Sequence, residues 1–220
     1  QISALSVEID MPDRTFAQGD IASWGNQVNY SESFTNWALK SSTITVSENA
    51  IANPINGQVT ADLVSKGSSA YRAIGQYITH NDAGTYSVST YVKAETNTNV
   101  TLLYGKSDLS QYSRTIYNLS NQTFTNSYSP NSTLVSKTMS AVGTDGWYRI
   151  SFIATYTFNT TGVIYIYPDV NSGTSAGGVY LWGTQIQQSS TLPEYESYSN
   201  STGTKTITYS PSFKDVQGIG

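Results

Sequence analysis

Segments that alternate apolar and polar side chains, each cut off by turn residues, constrain this chain more than any other feature. In Trp147–Tyr156, one face carries Tyr148, Ile150, Phe152, Ala154 and Tyr156. The other carries Trp147, Arg149, Ser151, Ile153 and Thr155. Successive strand residues point to opposite sides, so this pattern specifies a strand with one dry face. Gly84–Ala94 repeats it. Tyr86, Val88, Thr90 and Val92 face one way; Ser87, Ser89, Tyr91 and Lys93 face the other. Two such strands side by side give a sheet with one apolar face and one aromatic and polar face.

The same reading predicts further strands at Thr43–Ser47, Gln58–Ser65, Tyr71–Thr79, Asn99–Tyr104 and Ser113–Asn118. It continues with Leu134–Ala141, Gly162–Tyr167, Gly178–Gln187 and Lys205–Tyr209. Leu5, Val7 and Ile9 alternate in a first strand that Met11-Pro12-Asp13 ends, because proline cannot donate to a ladder. Residues 12 to 27 read as a loop or short helix anchored by Phe16, Ile21 and Trp24. Asn81-Asp82-Ala83-Gly84 and Asp145-Gly146 are turn signals, and the Asn/Ser-rich Asn121–Asn131 reads as a surface loop. Many short strands at this spacing predict an all-β antiparallel sandwich rather than a parallel sheet.

Composition narrows the function. Only 12% of the 220 residues are charged, against about a quarter in an ordinary globular domain. Seventeen tyrosines and four tryptophans are many, and such residues suit a pleated, half-buried surface. Net charge is −4 with no basic cluster, which excludes a nucleic-acid footprint. Without cysteine there is neither a disulfide framework nor thiol chemistry. No apolar run is long enough to insert in a membrane as a helix. Gln1 is not an initiator, so a piece of a longer chain is expected.

Catalysis finds little to work with. The single histidine, His80, precedes a turn and has no second histidine or cysteine to complete a transition-metal site. No Gly-x-Ser-x-Gly elbow and no phosphate loop occur. Glu194 and Glu196 form the one conspicuous carboxylate pair, on a Ser/Pro-rich stretch that reads as a solvated edge. No cofactor is expected. Calcium stays open as a structural ion, since Asp, Asn and carbonyl oxygens suffice for it, but no ligands can be named. Asn-x-Ser/Thr triplets begin at Asn29, Asn99, Asn118, Asn121, Asn131, Asn159 and Asn200, as expected by chance in so Asn-, Ser- and Thr-rich a chain.

Aromatics beside polar groups offer the best functional reading. A sugar ring has an apolar face and a rim of hydroxyls. Tyr and Trp stack on the first; Arg, Lys, Asn and Gln bond the second. On this argument Tyr91 and Trp147 are expected to stack and Lys93 and Arg149 to donate, all four exposed on one face. The competing expectation is that tyrosines simply pair across strands.

Several segments, in order, resemble a family. They are Asn29-Tyr-Ser-Glu-Ser-Phe-Thr-Asn-Trp37, Ala61-Asp-Leu-Val64, Gly84–Ala94, Asp145-Gly-Trp-Tyr-Arg-Ile-Ser151, Tyr180-Leu-Trp-Gly-Thr-Gln-Ile186 and the Ser189–Thr204 tail. Together they resemble the carbohydrate-binding-like jelly-roll domains of bacteriophage tail fibre, spike and appendage proteins. Gln187 stands where that family has an acidic residue, Thr184 where it has alanine, and Tyr198-Ser-Asn where it has Tyr-Ile-Pro. The resemblance implies a two-sheet antiparallel jelly-roll sandwich over residues 28–206, with an N-terminal strand and linker arm at 1–27 and a C-terminal linker at 207–220. It implies a non-catalytic virion protein on the particle surface. Its expected partners are host polysaccharide or other glycan and further virion proteins, and the expected assembly is a homo-oligomer, a trimer. Two alternatives remain: a purely structural module making inter-subunit contacts, and a binding module of a secreted polysaccharide-degrading enzyme.

Around Tyr180–Ile186, Tyr180, Trp182 and Ile186 are expected on one face, with Gly183 as a bulge or a point of close packing, and Val179, Leu181, Gln185 and Gln187 on the other. Both faces being apolar, an arm or a neighbouring subunit is expected to cover the second. Ser189–Tyr198 reads as a strap leading the chain off the sandwich.

Overall fold

The computed structural model describes residues 25–79 and 82–198. The strands predicted from Leu5 and from Lys205, and His80, lie outside these residues.

The described chain forms twelve strands and one 3-10 turn, Phe34–Asn36. The strands are β1 (Leu39–Lys40), β2 (Ile44–Ala52), β3 (Val59–Lys66), β4 (Ile74–Ile78), β5 (Gly84–Ala94) and β6 (Asn99–Lys106). They continue as β7 (Tyr112–Asn118), β8 (Thr123–Tyr128), β9 (Thr133–Val142), β10 (Trp147–Tyr156), β11 (Gly162–Tyr167) and β12 (Gly177–Gln188). They make two six-stranded sheets. Sheet A runs β1-β4-β11-β6-β7-β8 and sheet B runs β2-β3-β12-β5-β10-β9. Every pairing is antiparallel. The fold is an all-β jelly-roll sandwich, as the alternation and the resemblance both lead one to expect.

Gly84–Ala94 and Trp147–Tyr156 are hydrogen-bonded neighbours, with Arg149 opposite Tyr91 and Trp147 opposite Lys93. Their dry faces point into the core. There Tyr86, Val88, Val92, Ile150, Phe152 and Tyr156 meet Ile74, Leu102, Tyr104, Tyr117 and Ile164 of the opposite sheet. Buried tyrosine hydroxyls find partners: Tyr117 donates to the Ser151 carbonyl at 2.7 Å and Tyr156 to the Tyr104 carbonyl at 3.1 Å. That is the condition for placing a phenol in an apolar layer.

Two sequence expectations are corrected. The Asn121–Asn131 loop contains β8, an exposed edge strand paired to β7. Four of its six side chains are Thr, Asn or Ser and its two rings, Phe124 and Tyr128, are exposed, so no apolar alternation announces it. In β12, Gly183 adopts φ +59° and the register slips between Trp182 and Gln185. This extra residue flips the following side chains. Ile186 therefore joins Val179 and Leu181 in the core, while Gln185 and Gln187 turn to the Trp182 side.

Candidate functional site

The outer face of sheet B is the one expected to hold the site. It brings Tyr91, Lys93, Trp147 and Arg149 together on β5 and β10 as the alternation dictates. Their shared exposure fails. Tyr91 is only 5% exposed and Trp147 3%. With Ala61 and Trp182 they form a second apolar cluster, flanked by Ile51, Val142, Tyr180 and Tyr195.

The cover is the chain's own strap. After β12, residues 189–198 fold back across sheet B rather than leaving it. Tyr195 sets its ring against Trp182 at 4.9 Å and edge-on to Tyr91 at 5.6 Å. Its hydroxyl bonds Ser31 Oγ at 2.9 Å and donates to Glu32 Oε1 at 3.0 Å. Gln185 donates to the Glu194 carbonyl and accepts from the Glu196 amide, and Asn26 donates to the Glu196 carbonyl. Glu194 and Glu196 thus fasten the strap through their backbone groups.

Arg149 is engaged beneath this cover, all but its buried Nε, which has no acceptor. Its Nη2 donates to Ser89 Oγ at 3.2 Å and to Gln185 Oε1 at 3.4 Å, and its guanidinium lies over the Tyr91 ring at 5.6 Å. Tyr91 and Trp147 are therefore packing residues here. The physical reason is that a half-apolar sheet face is itself a docking surface for the chain that follows.

The outer face of sheet A carries the arrangement sequence reading assigned to sheet B. One register row crosses all six strands: Leu39, Gly75, Tyr165, Leu103, Arg114 and Tyr128. At the spacing of neighbouring strands it spans about 24 Å. The next row holds Tyr77, Val163, Gly105 and Tyr112. Tyr77 is 53% and Tyr128 51% exposed, while Tyr165 and Arg114 are half-buried.

Local sequence explains the shape. Tyr165-Ile-Tyr167 alternates so that both rings leave the core while Ile166 enters it. The rings stand 6.3 Å apart. Gly75 is the neighbour across the ladder, and a Cβ there would lie 2.5 Å from the Tyr165 ring and from the Ile164 carbonyl. Glycine lets that ring rest across β4. On the other flank Tyr112 and Tyr128 rings lie 5.7 Å apart, and the Arg114 guanidinium sits over Tyr128 at 5.6 Å.

Burial pushes the Tyr167 hydroxyl up to about 12, with Tyr165, Tyr112 and Tyr71 adding to the rise and Arg114 opposing it. Burial, then Tyr77, raises Tyr165 as well. These hydroxyls stay protonated around neutrality and can both donate and accept. The face thus offers flat rings, neutral phenols and one guanidinium.

Among the described residues no group of three or more His, Cys, Asp or Glu side chains gathers to hold a metal. One buried ion pair, Lys66 with Asp169 at 3.4 Å, fixes the loop after β11; Lys66 also donates to the Gly173 carbonyl at 2.8 Å. No helix among the described residues is long and apolar enough to cross a membrane.

Sequence reading missed this face, although its signal was present. Tyr165 and Tyr167 share one face of the strand expected at Gly162–Tyr167. Arg114 lies two residues from Tyr112, and Tyr128 sits in the stretch taken for a loop.

No protein-family model and no curated protein matches this chain. Solved structures do. The chain is similar to the enzymatically active domain of tailspike protein 4 of bacteriophage CBA120, at 13% identity and TM-score 0.43 over 74% of this chain; it spans only 21% of that one. It is similar to TmCBM61, solved with β-1,4-galactotriose, at 12% identity and TM-score 0.42 over 74% of this chain and 99% of that one. It is also similar to the CBM22-1 xylan-binding domain of Paenibacillus barcinonensis Xyn10C, at 13% identity and TM-score 0.40 over 76% of this chain and 96% of that one.

Proposed function

We propose that the outer face of sheet A binds a glycan chain, and that the domain is a non-catalytic adhesion module of a bacteriophage tail fibre, spike or head appendage on the virion surface. One observation carries the binding reading: the row that runs from Gly75 under the Tyr165 ring, through Leu103 and Arg114, to the exposed ring of Tyr128. A pyranose is about as wide as a phenol ring, and tyrosine matches both its apolar face and its hydroxyl rim. Tyr71, Tyr77 and Tyr128 are each more than half exposed, which a purely packing role does not require. Host polysaccharide is the partner that fits a row rather than a closed cavity. Weak single sites would gain ~10²–10⁴ in avidity from copies on an oligomeric fibre. The virion setting is supported by the sequence resemblance that the segments between Asn29 and Thr204 carry in the same succession.

A glycan array followed by calorimetry tests the binding reading. The parent chain should hold a polysaccharide fragment that Tyr77→Ala/Tyr128→Ala binds at least ~10-fold more weakly, a loss of about 1.4 kcal/mol, with its unfolding midpoint kept. Equal binding by both proteins would move the glycan site off this face; no bound glycan with a stable trimer that the double variant abolishes would replace the reading by an inter-subunit contact. Finding the chain in purified phage particles checks the setting; finding it joined to a polysaccharide-degrading catalytic domain overturns it.

A further inference from the structure

We infer that the glycan held by sheet A is anionic, and that Arg114 receives its carboxylate. The inference rests on the glycan reading of this face and goes further by naming the ligand's charge.

Arg114 stands on β7 near the Tyr128 end of the row, with Leu103 on one side and Tyr128 on the other. It is half-buried, and its Nε is buried with no hydrogen-bond acceptor. Among the described residues the ion pairs are Lys66–Asp169 and Lys106–Asp108. These two pairs matter for Arg114. Asp169 follows β11 and Asp108 follows β6, and each acid is held by a lysine of this chain. Neither is left to neutralise the guanidinium.

The surroundings of Arg114 are aromatic. Its charge lies over Tyr128 and acts on Tyr167. Orientation by rings without an acid leaves a planar, permanently charged fork aimed at a surface of neutral phenols. A carboxylate satisfies such a fork with two parallel charge-assisted hydrogen bonds, whereas a sugar hydroxyl supplies one neutral acceptor. Arg149 on the opposite face likewise has a buried Nε without an acceptor, but its Nη2 donates to Ser89 and Gln185, whereas the guanidinium of Arg114 meets only rings. In a chain of net charge −4, an unpaired arginine on the open face selects for acid.

Uronate- and sialate-bearing oligosaccharides, each beside its carboxyl-reduced counterpart, test this with the full chain by calorimetry at low and high salt. At least one acid should bind ~10-fold or more tightly than its reduced form. Salt should narrow that margin, Arg114→Gln should erase it, and Arg114→Lys should keep only a small part because it cannot chelate. Reduced and acidic forms binding alike, with Tyr77→Ala/Tyr128→Ala still abolishing both, would overturn the charge inference and leave the glycan reading standing. An acid preference that survives Arg114→Gln overturns the assignment to Arg114. Binding of neither form, nor of any neutral glycan, would remove both readings together.

Discussion

Both sheets turn aromatic rings away from the shared core, and they differ in what happens next. On sheet B, Tyr91, Trp147 and Trp182 are sealed by Tyr195 of the strap. On sheet A, Tyr77 and Tyr128 stand in solvent. Local alternation is the same in both. The difference comes from one connection: the chain leaving β12 turns back over sheet B, where Ser31, Asn26 and Gln185 supply its hydrogen bonds. Sheet A has no such cover among the described residues. Alternation therefore tells which side chains leave the core, and a distant segment decides whether they remain available.

The sharpest way to break this comparison is to remove a ring from the covered face. Trp182 is 4% exposed and packs 5.4 Å from Tyr91 and 4.9 Å from Tyr195. Trp182→Ala should cost ~3–5 kcal/mol, the range for a buried large aromatic, read as a lower urea midpoint. A midpoint close to the parent's would mean that the strap does not seal the cluster.

A smaller effect is expected where the strap is fastened. Tyr195→Phe keeps the ring and deletes the bonds to Ser31 and Glu32, for about 1–2 kcal/mol. Here pH adds a second reading. Burial raises the Glu32 carboxyl above its usual range, and the Tyr195 hydrogen bond opposes that rise. A carboxyl raised by folding is more easily protonated in the native state. Its contribution is complete below the unfolded value of about 4 and is lost as pH rises through the higher folded value. Tyr195→Phe removes the lowering partner, so this loss should move to higher pH. Glu32→Gln should flatten that part of the urea-midpoint profile. Asp62, also raised by burial, should keep its own slope of the same sign. A profile unchanged by Glu32→Gln would detach Glu32 from the latch.

The sandwich itself was legible because period two is a backbone property: Gly84–Ala94, Trp147–Tyr156 and Gly162–Tyr167 were read to the residue. β8 was not, because an edge strand needs no apolar face. The Ile186 flip depended on φ +59° at Gly183, a bulge that the sequence permits without requiring. The site was displaced for another reason. The segments that carry the family resemblance converge on the covered face. Ser31 and Glu32 hold Tyr195, Asp62 accepts from the Phe34 and Asn49 amides, and Trp182 packs on Tyr91. Tyr77, Arg114, Tyr128 and Tyr165 belong to none of those segments. Motif residues drew attention to the clamp that closes the fold, and the open face lay between them.

The smallest expected effect sharpens the comparison most, because it repeats the first experiment on the other face. Tyr128 is 51% exposed; its ring touches Tyr112 and carries the Arg114 guanidinium. Tyr128→Ala deletes an aromatic side chain, as Trp182→Ala does. It should nevertheless change the urea midpoint by no more than ~0.5 kcal/mol, because half of the side chain is already in solvent. A cost near that of Trp182→Ala would mean that Tyr128 is a packing residue and that sheet A is closed in solution. A small cost leaves the ring unneeded for folding, and an aromatic row that folding does not need is the one on which a ligand can act.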